Sequence, residues 1–303
     1  MMKKTILAIG LACIMLLAAC SQDQAKETKH KDEKETFTYQ SEKGEVEVPK
    51  NPKRVVVLAT FAGNVMALDR NIVGVDEWSK DNPRFKDKLK DAKVVSDEDV
   101  EKIAALKPDL IIGLSDTKNY DKLKEIAPTV TYTYGKLDYL EQHVEFGKLL
   151  NKEEEARDWV KDFKQRAQKA EKDIKANIGE DATVSVIESF DKQLYVFGDH
   201  WGRGTEVLYQ ALDLKMPEKV ERMVKKEGYY TLSQEVLPDY VGDYLVLSED
   251  KDAEQSFKKT TSYQNIPSVK DDHVIEVDQK SFYFNDPISI DHQLDTFTKQ
   301  LTK

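Results

Sequence analysis

The chain of 303 residues carries 56 acidic and 46 basic side chains, a formal net charge of −10, which makes it a poor candidate for nucleic-acid binding. Its two cysteines, Cys13 and Cys20, both lie in an N-terminal stretch that has the pattern of a targeting signal. Cleavage would remove Cys13 and lipidation would use Cys20, so no disulfide, cysteine nucleophile or thiolate-bound metal is expected in the rest of the chain.

The N-terminus predicts where the protein works. A short positive region, residues 1–4, is followed by an apolar run, residues 5–18, that is too short to span a bilayer comfortably, and then by Leu17-Ala-Ala-Cys20. This pattern resembles a bacterial lipoprotein signal peptide, so residues 1–19 are expected to be removed and Cys20 to carry lipid. An ordinary secretory peptide that contains a cysteine is the alternative. Residues 20–35 are strongly polar and are expected to form a flexible tether to the membrane.

Residues 36–150 are predicted to form an N-terminal α/β lobe. Alternating residues around Gly44 suit a hairpin, and the run Arg54-Val-Val-Val-Leu58 is typical of a strand buried on both faces of a parallel sheet. Further strands are predicted at residues 72–75, 94–95, 110–114 and 129–134, and helices at residues 100–106 and 120–126.

Residues 151–178 have the pattern of one long helix. Their apolar residues recur every three or four positions, with Asn151 as the expected N-cap, Glu154 completing a capping box and Gly179 as the stop. Such a helix is about 40 Å long, so we interpret it as a rigid connector between two lobes. A long crossover helix inside one domain is the alternative.

Residues 179–303 are predicted to form a C-terminal α/β lobe with a similar order of elements but no close sequence repeat. Strands are predicted at residues 183–187, 194–197, 244–247 and 274–277, and helices at residues 206–212 and 291–301. Strand and helix alternate in both halves, which predicts an α/β fold of two lobes.

The sequence has no positive sign of an enzyme. It lacks the nucleophile-elbow, phosphate-loop and dinucleotide motifs, and its five histidines include no pair at metal-ligand spacing. Carboxylates are plentiful in so acidic a chain, so paired-acid catalysis is neither supported nor refuted. No metal-binding residues of the protein's own are therefore predicted.

One loop has the composition of a binding site. The segment Tyr195-Val-Phe-Gly-Asp-His-Trp-Gly-Arg-Gly204 leads from a predicted strand into a predicted helix, and its glycines permit tight turns that would present Tyr195, Trp201 and Arg203. Aromatic rings beside a guanidinium suit a ligand with an apolar skeleton and a few anionic oxygens. Equally consistent with the composition is a simple corner in which Trp201 is a core residue and Arg203 a surface charge.

Other aromatic residues lie near predicted strand ends, where open α/β sheets bind their ligands. In the first lobe these are Phe61, Trp78, Tyr132 and Tyr134. A further group, Phe282-Tyr283-Phe284, precedes the last predicted helix, and its alternative role is a hydrophobic staple over the core. We expect side chains from both lobes to face each other across a cleft.

Taken together, these motifs resemble the iron(III)-siderophore-binding lipoproteins of Gram-positive ABC importers, and above all those that take hydroxamates such as ferrichrome and ferrioxamine. The resemblance covers nearly all of the chain after the signal peptide. The residues that carry it are the lipobox, Pro52-Lys-Arg-Val-Val-Val57, Asp99-Val-Glu-Lys-Ile-Ala-Ala-Leu-Lys-Pro-Asp-Leu-Ile-Ile112, Ile126-Ala-Pro-Thr-Val130, Gly198-Asp-His-Trp-Gly-Arg-Gly-Thr-Glu-Val207 and Asn285-Asp-Pro287.

The resemblance implies two Rossmann-like lobes joined by one helix, as in class III periplasmic binding proteins, with a shallow cleft and little closure on binding. It implies that Trp201 and Arg203 line the cleft, that Arg203 donates to the hydroxamate oxygens around the iron, and that Tyr195 packs nearby. Tyr283 falls where relatives also carry an aromatic residue, and we include Tyr134 in the expected site. The siderophore itself would hold the iron, so no cofactor is expected.

The resemblance also implies a partner and leaves the ligand preference open. Leu114 and Phe284 stand where some relatives have tyrosine. Relatives carry one acidic residue per lobe that docks on arginines of the ABC permease, and Glu101 and Glu235 occupy matching places. The alternative is that both are ordinary solvated carboxylates.

Three hypotheses follow. The first is a receptor for ferric hydroxamate siderophores; the second is a binder of another large ligand such as haem, cobalamin or a catecholate chelate; the third is a lipid-anchored enzyme. Charge separates the first two, because a tris-catecholate iron complex is a trianion that needs several basic side chains. A hydroxamate complex is near neutral or cationic, and one arginine among aromatic residues suffices.

Overall fold

The computed structural model describes residues 35–190, 193–250, 252–253 and 255–303. The expected signal peptide, the lipidation site Cys20 and nearly all of the predicted tether lie outside the described residues. Residues 35–303 form one compact unit. Within the described ranges, the structure contains no helix that is both long enough and apolar enough to cross a membrane.

The N-terminal lobe is built on a parallel sheet, as its continuous apolar runs predict. A hairpin of β1 (Thr36–Ser41) and β2 (Gly44–Pro49) precedes five strands, β3 (Val55–Val57), β4 (Ile72–Val75), β5 (Lys93–Val94), β6 (Leu110–Leu114) and β7 (Thr129–Tyr132). The helices of this lobe are α1 (Ala62–Ala67), α2 (Glu77–Asp81), α3 (Val100–Ala105), α4 (Tyr120–Ile126) and α5 (Tyr139–Leu149). The spatial order β5-β4-β3-β6-β7 reverses direction between β3 and β6, which creates a crevice at the carboxyl ends of those two strands.

A 26-residue helix, α6 (Glu153–Ile178), joins the two lobes. Its buried face consists of Ala156, Phe163, Ala167, Ala170 and Ile174, the apolar stripe that the spacing predicts. Gly179 ends the helix as expected. The predicted capping box is wrong: Asn151 has a left-handed φ of 53°, and the helix begins after Lys152 without a side-chain cap.

The C-terminal lobe contains a mixed sheet. Its strands are β8 (Val184–Phe190), β9 (Gln193–Phe197), β10 (Tyr229–Leu232), β11 (Tyr244–Glu249) and β12 (Val274–Asp278), in the order β10-β9-β8-β11-β12. The last two run parallel to β8, whereas β9 pairs antiparallel with both of its neighbours. The helices are α7 (Glu218–Val224), α8 (Thr261–Gln264), α9 (Pro267–Lys270), α10 (Gln279–Phe282) and α11 (Pro287–Leu301), with a π-helix at Glu206–Ala211 and 3₁₀ turns at Leu237–Tyr240 and Ser256–Lys259.

Helix α11 ties the two halves together. It begins four residues earlier than predicted, because Asp286 caps it by accepting from the backbone N–H groups of Ile288 and Ser289. Its side chain Asp291 accepts from Trp159 and Arg166 of α6 at 3.2 and 2.7 Å. Gly63 of α1 lies so close to Asp286 that a Cβ there would stand 1.9 Å from its carboxyl carbon. The last helix therefore packs on both the connector and the first lobe.

Candidate ligand-binding cleft

A cavity of about 570 Å³ lies between the two lobes. Thr60, Leu114 and Tyr134 line it from the N-terminal lobe, at or just beyond the carboxyl ends of β3, β6 and β7. These ends flank the reversal in strand order, where open α/β sheets bind ligands. The other lining residues come from the C-terminal lobe: Glu188, Phe190, Tyr195, Phe197, Trp201, Arg203, Tyr229, Tyr283, Phe284 and Asn285.

The loop after β9 is held in an unusual backbone conformation. Gly202, Arg203 and Gly204 are consecutive left-handed residues, with φ values of 69°, 60° and 89°. Glycine adopts this region freely, whereas an arginine there costs roughly 1 kcal/mol or more. The loop presses on the backbone before α11, because the Arg203 N–H donates to the carbonyl of Phe282 at 2.7 Å and a Cβ on Gly202 would lie 2.3 Å from the carbonyl oxygen of Tyr283.

Arg203 is a buried side chain locked in an ion pair. Its Nε and Nη2 donate to the two carboxylate oxygens of Glu188 at 3.1 and 2.9 Å, and its Nη1 donates to the carbonyl of Trp201 at 2.7 Å. Only 8% of Arg203 and 1% of Glu188 are exposed. Burial lowers the pKa of Arg203, but the Glu188 charge and its hydrogen bonds more than compensate, so the net direction of the pKa is upward.

Aromatic rings enclose the same guanidinium. Its Cζ lies 4.6 Å from the ring centre of Phe197 and 4.2 Å from that of Tyr283. Such contacts favour a cation and hold the guanidinium plane in place. The Arg203 side chain is therefore preorganised before any ligand arrives.

A second buried carboxylate, that of Glu206, holds the loop after β9 in place through hydrogen bonds. Glu206, the first residue of the π-helix, accepts from the Gly202 N–H at 3.1 Å, from Asn285 Nδ2 at 2.8 Å and from the Thr205 hydroxyl at 3.0 Å. Burial raises the pKa of Glu206. This carboxylate links the loop of Gly202, Arg203 and Gly204, which we call the arginine loop, to Asn285 on the cavity wall.

Trp201 is half-buried at the cavity wall. Its indole Nε1 donates to the carbonyl of Glu227 at 3.0 Å. Its ring lies 5.7 Å from Tyr134 of the opposite lobe and 5.6 Å, edge to face, from Tyr229. One face of the β8–β9–β10 ribbon continues this aromatic wall, since Tyr195, Phe197 and Tyr229 lie within 6.5 Å of one another.

The structure brings all five predicted ligand-binding residues to this cavity: Trp201, Arg203, Tyr195, Tyr283 and Tyr134. The corner in which Trp201 is core and Arg203 is surface is wrong, because the arginine is the more buried of the two. Phe61 and Tyr132 are buried in the core of the first lobe and do not line the cavity. Trp78 is not a lining residue either, but it stacks on Tyr283, which is one.

Sequence reasoning missed several lining residues. Glu188 lies in β8 directly after the apolar run of that strand, and a charge in that position was the one signal that could have identified it. Phe190 lies two residues further along the same strand, and Tyr229 is in β10, a short exposed strand that was not predicted. Within the part of the chain that the structure describes, no group of three or more histidine, cysteine or acidic side chains is arranged to hold a metal.

The two expected docking residues are both exposed, one on each lobe. Glu101 lies in the first turn of α3, which follows the carboxyl end of β5. Glu235 follows β10, a strand that runs in the same direction as β8, because each is antiparallel to β9. Both residues therefore follow strand ends on the side of their sheets where Leu114 and Phe190 reach the cavity.

Two α/β lobes, one connecting helix and an aromatic cleft at the strand ends define a solute-binding protein. A family model described as "Periplasmic binding protein" matches residues 58–281, and the chain belongs to that family.

Individual relatives are similar to this chain over most of its length. It is 39% identical to the iron(3+)-hydroxamate-binding protein YxeB of Bacillus subtilis strain 168, over 100% of this chain and 98% of that protein. The structure of FhuD from S. pseudintermedius superposes with a TM-score of 0.80 at 42% identity, covering 88% of this chain and 98% of the other. That of FhuD2 from Staphylococcus aureus with bound ferrioxamine B gives 0.79 at 39% identity, covering 83% and 98%.

Proposed function

We propose that this protein is an extracytoplasmic substrate-binding lipoprotein that captures ferric hydroxamate siderophores and delivers them to an ABC permease. The main observation in support of this proposal is the composition of the cavity lining. Among the described lining residues there is one guanidinium, that of Arg203, and its charge is balanced by Glu188, while aromatic rings form most of the remaining wall. The ligand class, ferric hydroxamates, is inferred from the relatives, which are described as binding iron(3+)-hydroxamates or ferrioxamine B.

The chemistry of the wall suits a hydroxamate chelate. Arg203 has five N–H donors, and three of them are engaged by Glu188 and the carbonyl of Trp201. The remaining donors can serve the chelate oxygens around the iron, and the rings of Trp201, Tyr195, Tyr283 and Tyr134 supply apolar contact area. Iron enters with its chelator, so the protein needs no metal ligands of its own.

The other large ligands fit less well. A tris-catecholate complex carries three negative charges, and the cavity lining offers one arginine that is already paired. Haem and cobalamin are the other candidate ligands, and the binding titration described below includes both. In the described cavity lining the two charged side chains, Arg203 and Glu188, bond to each other, an arrangement that favours binding over catalysis.

The proposed location and delivery route follow from the same function. Lipid on Cys20 would hold the protein at the outer face of the cell membrane, with residues 20–35 as tether. Glu101 and Glu235, one exposed carboxylate on each lobe, would meet basic residues of the permease. Exposed pairs of this kind act mainly on docking and its salt dependence.

A titration of the purified protein with ferrichrome, ferrioxamine, a ferric tris-catecholate, haem and cobalamin tests the proposal. Saturable, tight binding of the two hydroxamates, with far weaker binding of the other ligands, is the expected result. Tighter binding of haem, cobalamin or the tris-catecholate would replace the hydroxamate assignment.

A further inference from the structure

We infer that Glu188 is the residue that sets the charge selectivity of the cleft: by neutralising Arg203 it excludes anionic iron chelates. This inference rests on the proposed function and adds the role of a residue that does not itself need to touch the ligand. Glu188 is a positioning residue that acts through Arg203.

The geometry gives Glu188 two tasks. Its bidentate contact with Nε and Nη2 of Arg203 fixes the orientation of the guanidinium plane. It also occupies the Nε–Nη2 edge of the guanidinium, one of the edges through which an arginine makes a forked contact with an anion. A carboxylate of a ligand cannot take that position without displacing Glu188.

The pair is itself supported from the neighbouring strand. Ser248 of β11 donates its hydroxyl to the Glu188 carboxylate at 3.0 Å, and both residues are buried. Because β11 is directly paired with β8, this hydrogen bond holds Glu188 in register with the arginine loop. Both carboxylate oxygens of Glu188 are therefore engaged by hydrogen bonds within the protein.

The formal charges of the described cavity lining cancel. Arg203 and Glu188 are the only charged side chains among its lining residues, so the lining of the cavity that the structure describes has no net formal charge. Glu206 lies directly behind the arginine loop and adds a further carboxylate, not a cation. A trianion therefore meets no net positive charge in the described lining, whereas a neutral chelate does not require one.

Replacing Glu188 separates this role from a merely structural one. Glu188→Gln keeps the shape and leaves Arg203 uncompensated, whereas Glu188→Asp keeps the charge. The ratio of the Kd for a ferric tris-catecholate to the Kd for ferrichrome is measured by fluorescence titration. We expect Glu188→Gln to lower this ratio at least tenfold, while Glu188→Asp keeps it near the parent value. The double variant Glu188→Gln with Arg203→Gln is compared only with Arg203→Gln, because both lack the arginine.

A decrease of less than tenfold in folded Glu188→Gln, or an equal decrease in Glu188→Asp, overturns the inference. If Glu188→Gln does not fold, the comparison is between Arg203→Gln and the double variant: the ratio should be at least tenfold higher in the single variant, and equal ratios overturn the inference. Failure of the proposed function is a distinct result, namely a parent protein that does not bind ferrichrome. In that case the inference also fails unless Glu188→Gln gains affinity for the tris-catecholate.

Discussion

Trp78 of the N-terminal lobe stacks on Tyr283 of the C-terminal lobe, with ring centroids 4.8 Å apart and ring planes 26° apart. Tyr134 and Trp201 make a second contact between the lobes at 5.7 Å. The two aromatic contacts join the walls of the cavity, while α6 and α11 connect the lobes through helix packing. Contacts at both the cavity and the helices favour small lobe movements on binding, because closure or opening would have to separate or repack these rings.

The aromatic walls predict how the tryptophans respond to ligand. A strongly coloured ferric hydroxamate should quench Trp201, which lines the cavity, and Trp78, which stacks on the lining residue Tyr283, more than Trp159, which packs on Phe163 and bonds to Asp291. Trp201→Phe should therefore remove a large part of the quenching seen in a ferrichrome titration, and Trp159→Phe should raise the quenched fraction of the remaining emission. Unchanged quenching amplitude and affinity in Trp201→Phe would remove the arginine loop from the site.

Arg203 should contribute to both binding and stability, and two variants can separate these effects. Arg203→Ala should weaken ferrichrome binding by about ten- to a hundredfold, which corresponds to about 1.5–3 kcal/mol for a charge-assisted donor. It also leaves Glu188 buried without a partner, so the free energy of unfolding should fall by about 3–5 kcal/mol.

The double variant Arg203→Met with Glu188→Leu removes both charges and should recover most of that stability while ferrichrome affinity stays low. Urea unfolding and fluorescence titration give the two quantities. Recovery of affinity along with stability would mean that Arg203 only supports the fold. Arg203→Lys should rescue binding only in part, since lysine lacks the forked donors.

His143 predicts a pH dependence of stability. Burial lowers its pKa from 6.5 to about 4, and its Nδ1 lies 3.0 Å from Asn64 Oδ1. A histidine whose pKa is lowered by folding stabilises the protein above pH 6.5, and this stabilisation is lost as the pH falls towards 4. The loss amounts to roughly 3 kcal/mol, because the unfolded chain binds the proton first.

The difference in unfolding free energy between the parent and His143→Gln should therefore shift by this amount, in favour of the variant, between pH 7 and pH 4. Asp286, whose pKa burial raises to about 6, has the opposite effect on stability, but it is present in both proteins and cancels in the comparison. A difference that stays constant with pH would show that His143 titrates normally.

The docking proposal predicts a loss of transport without a loss of affinity. Glu101→Ala combined with Glu235→Ala should abolish cellular uptake of radiolabelled ferric siderophore, because the carboxylates would no longer meet the permease. Binding by the purified variant should match the parent. Glu141→Ala combined with Glu221→Ala is a matched control, since it also removes one exposed carboxylate from each lobe. Normal uptake by the first variant, or equal loss in the control, contradicts the assignment.

The elements that could be predicted are those whose pattern lies within one short stretch of sequence. The stripe of α6, the apolar parallel strands and the glycine-flanked Trp-Gly-Arg-Gly loop all have a pattern that neighbouring residues reveal. The ion pair could not be predicted in this way: Glu188 is one of 56 acidic residues, and only tertiary structure selects it as the partner of Arg203. Tyr229 was missed for a related reason, since β10 is short, mostly exposed and lacks the alternation that indicates a strand.

The anomalous scattering of iron in crystals grown with ferrichrome would show directly whether the cavity binds the ferric hydroxamate. We expect one iron peak per chain inside the cavity, with the chelate oxygens facing Arg203 and the rings of Trp201 and Tyr283 against the ligand. A peak outside the cavity, or an empty cavity in crystals grown under conditions that saturate binding in solution, would contradict this expectation.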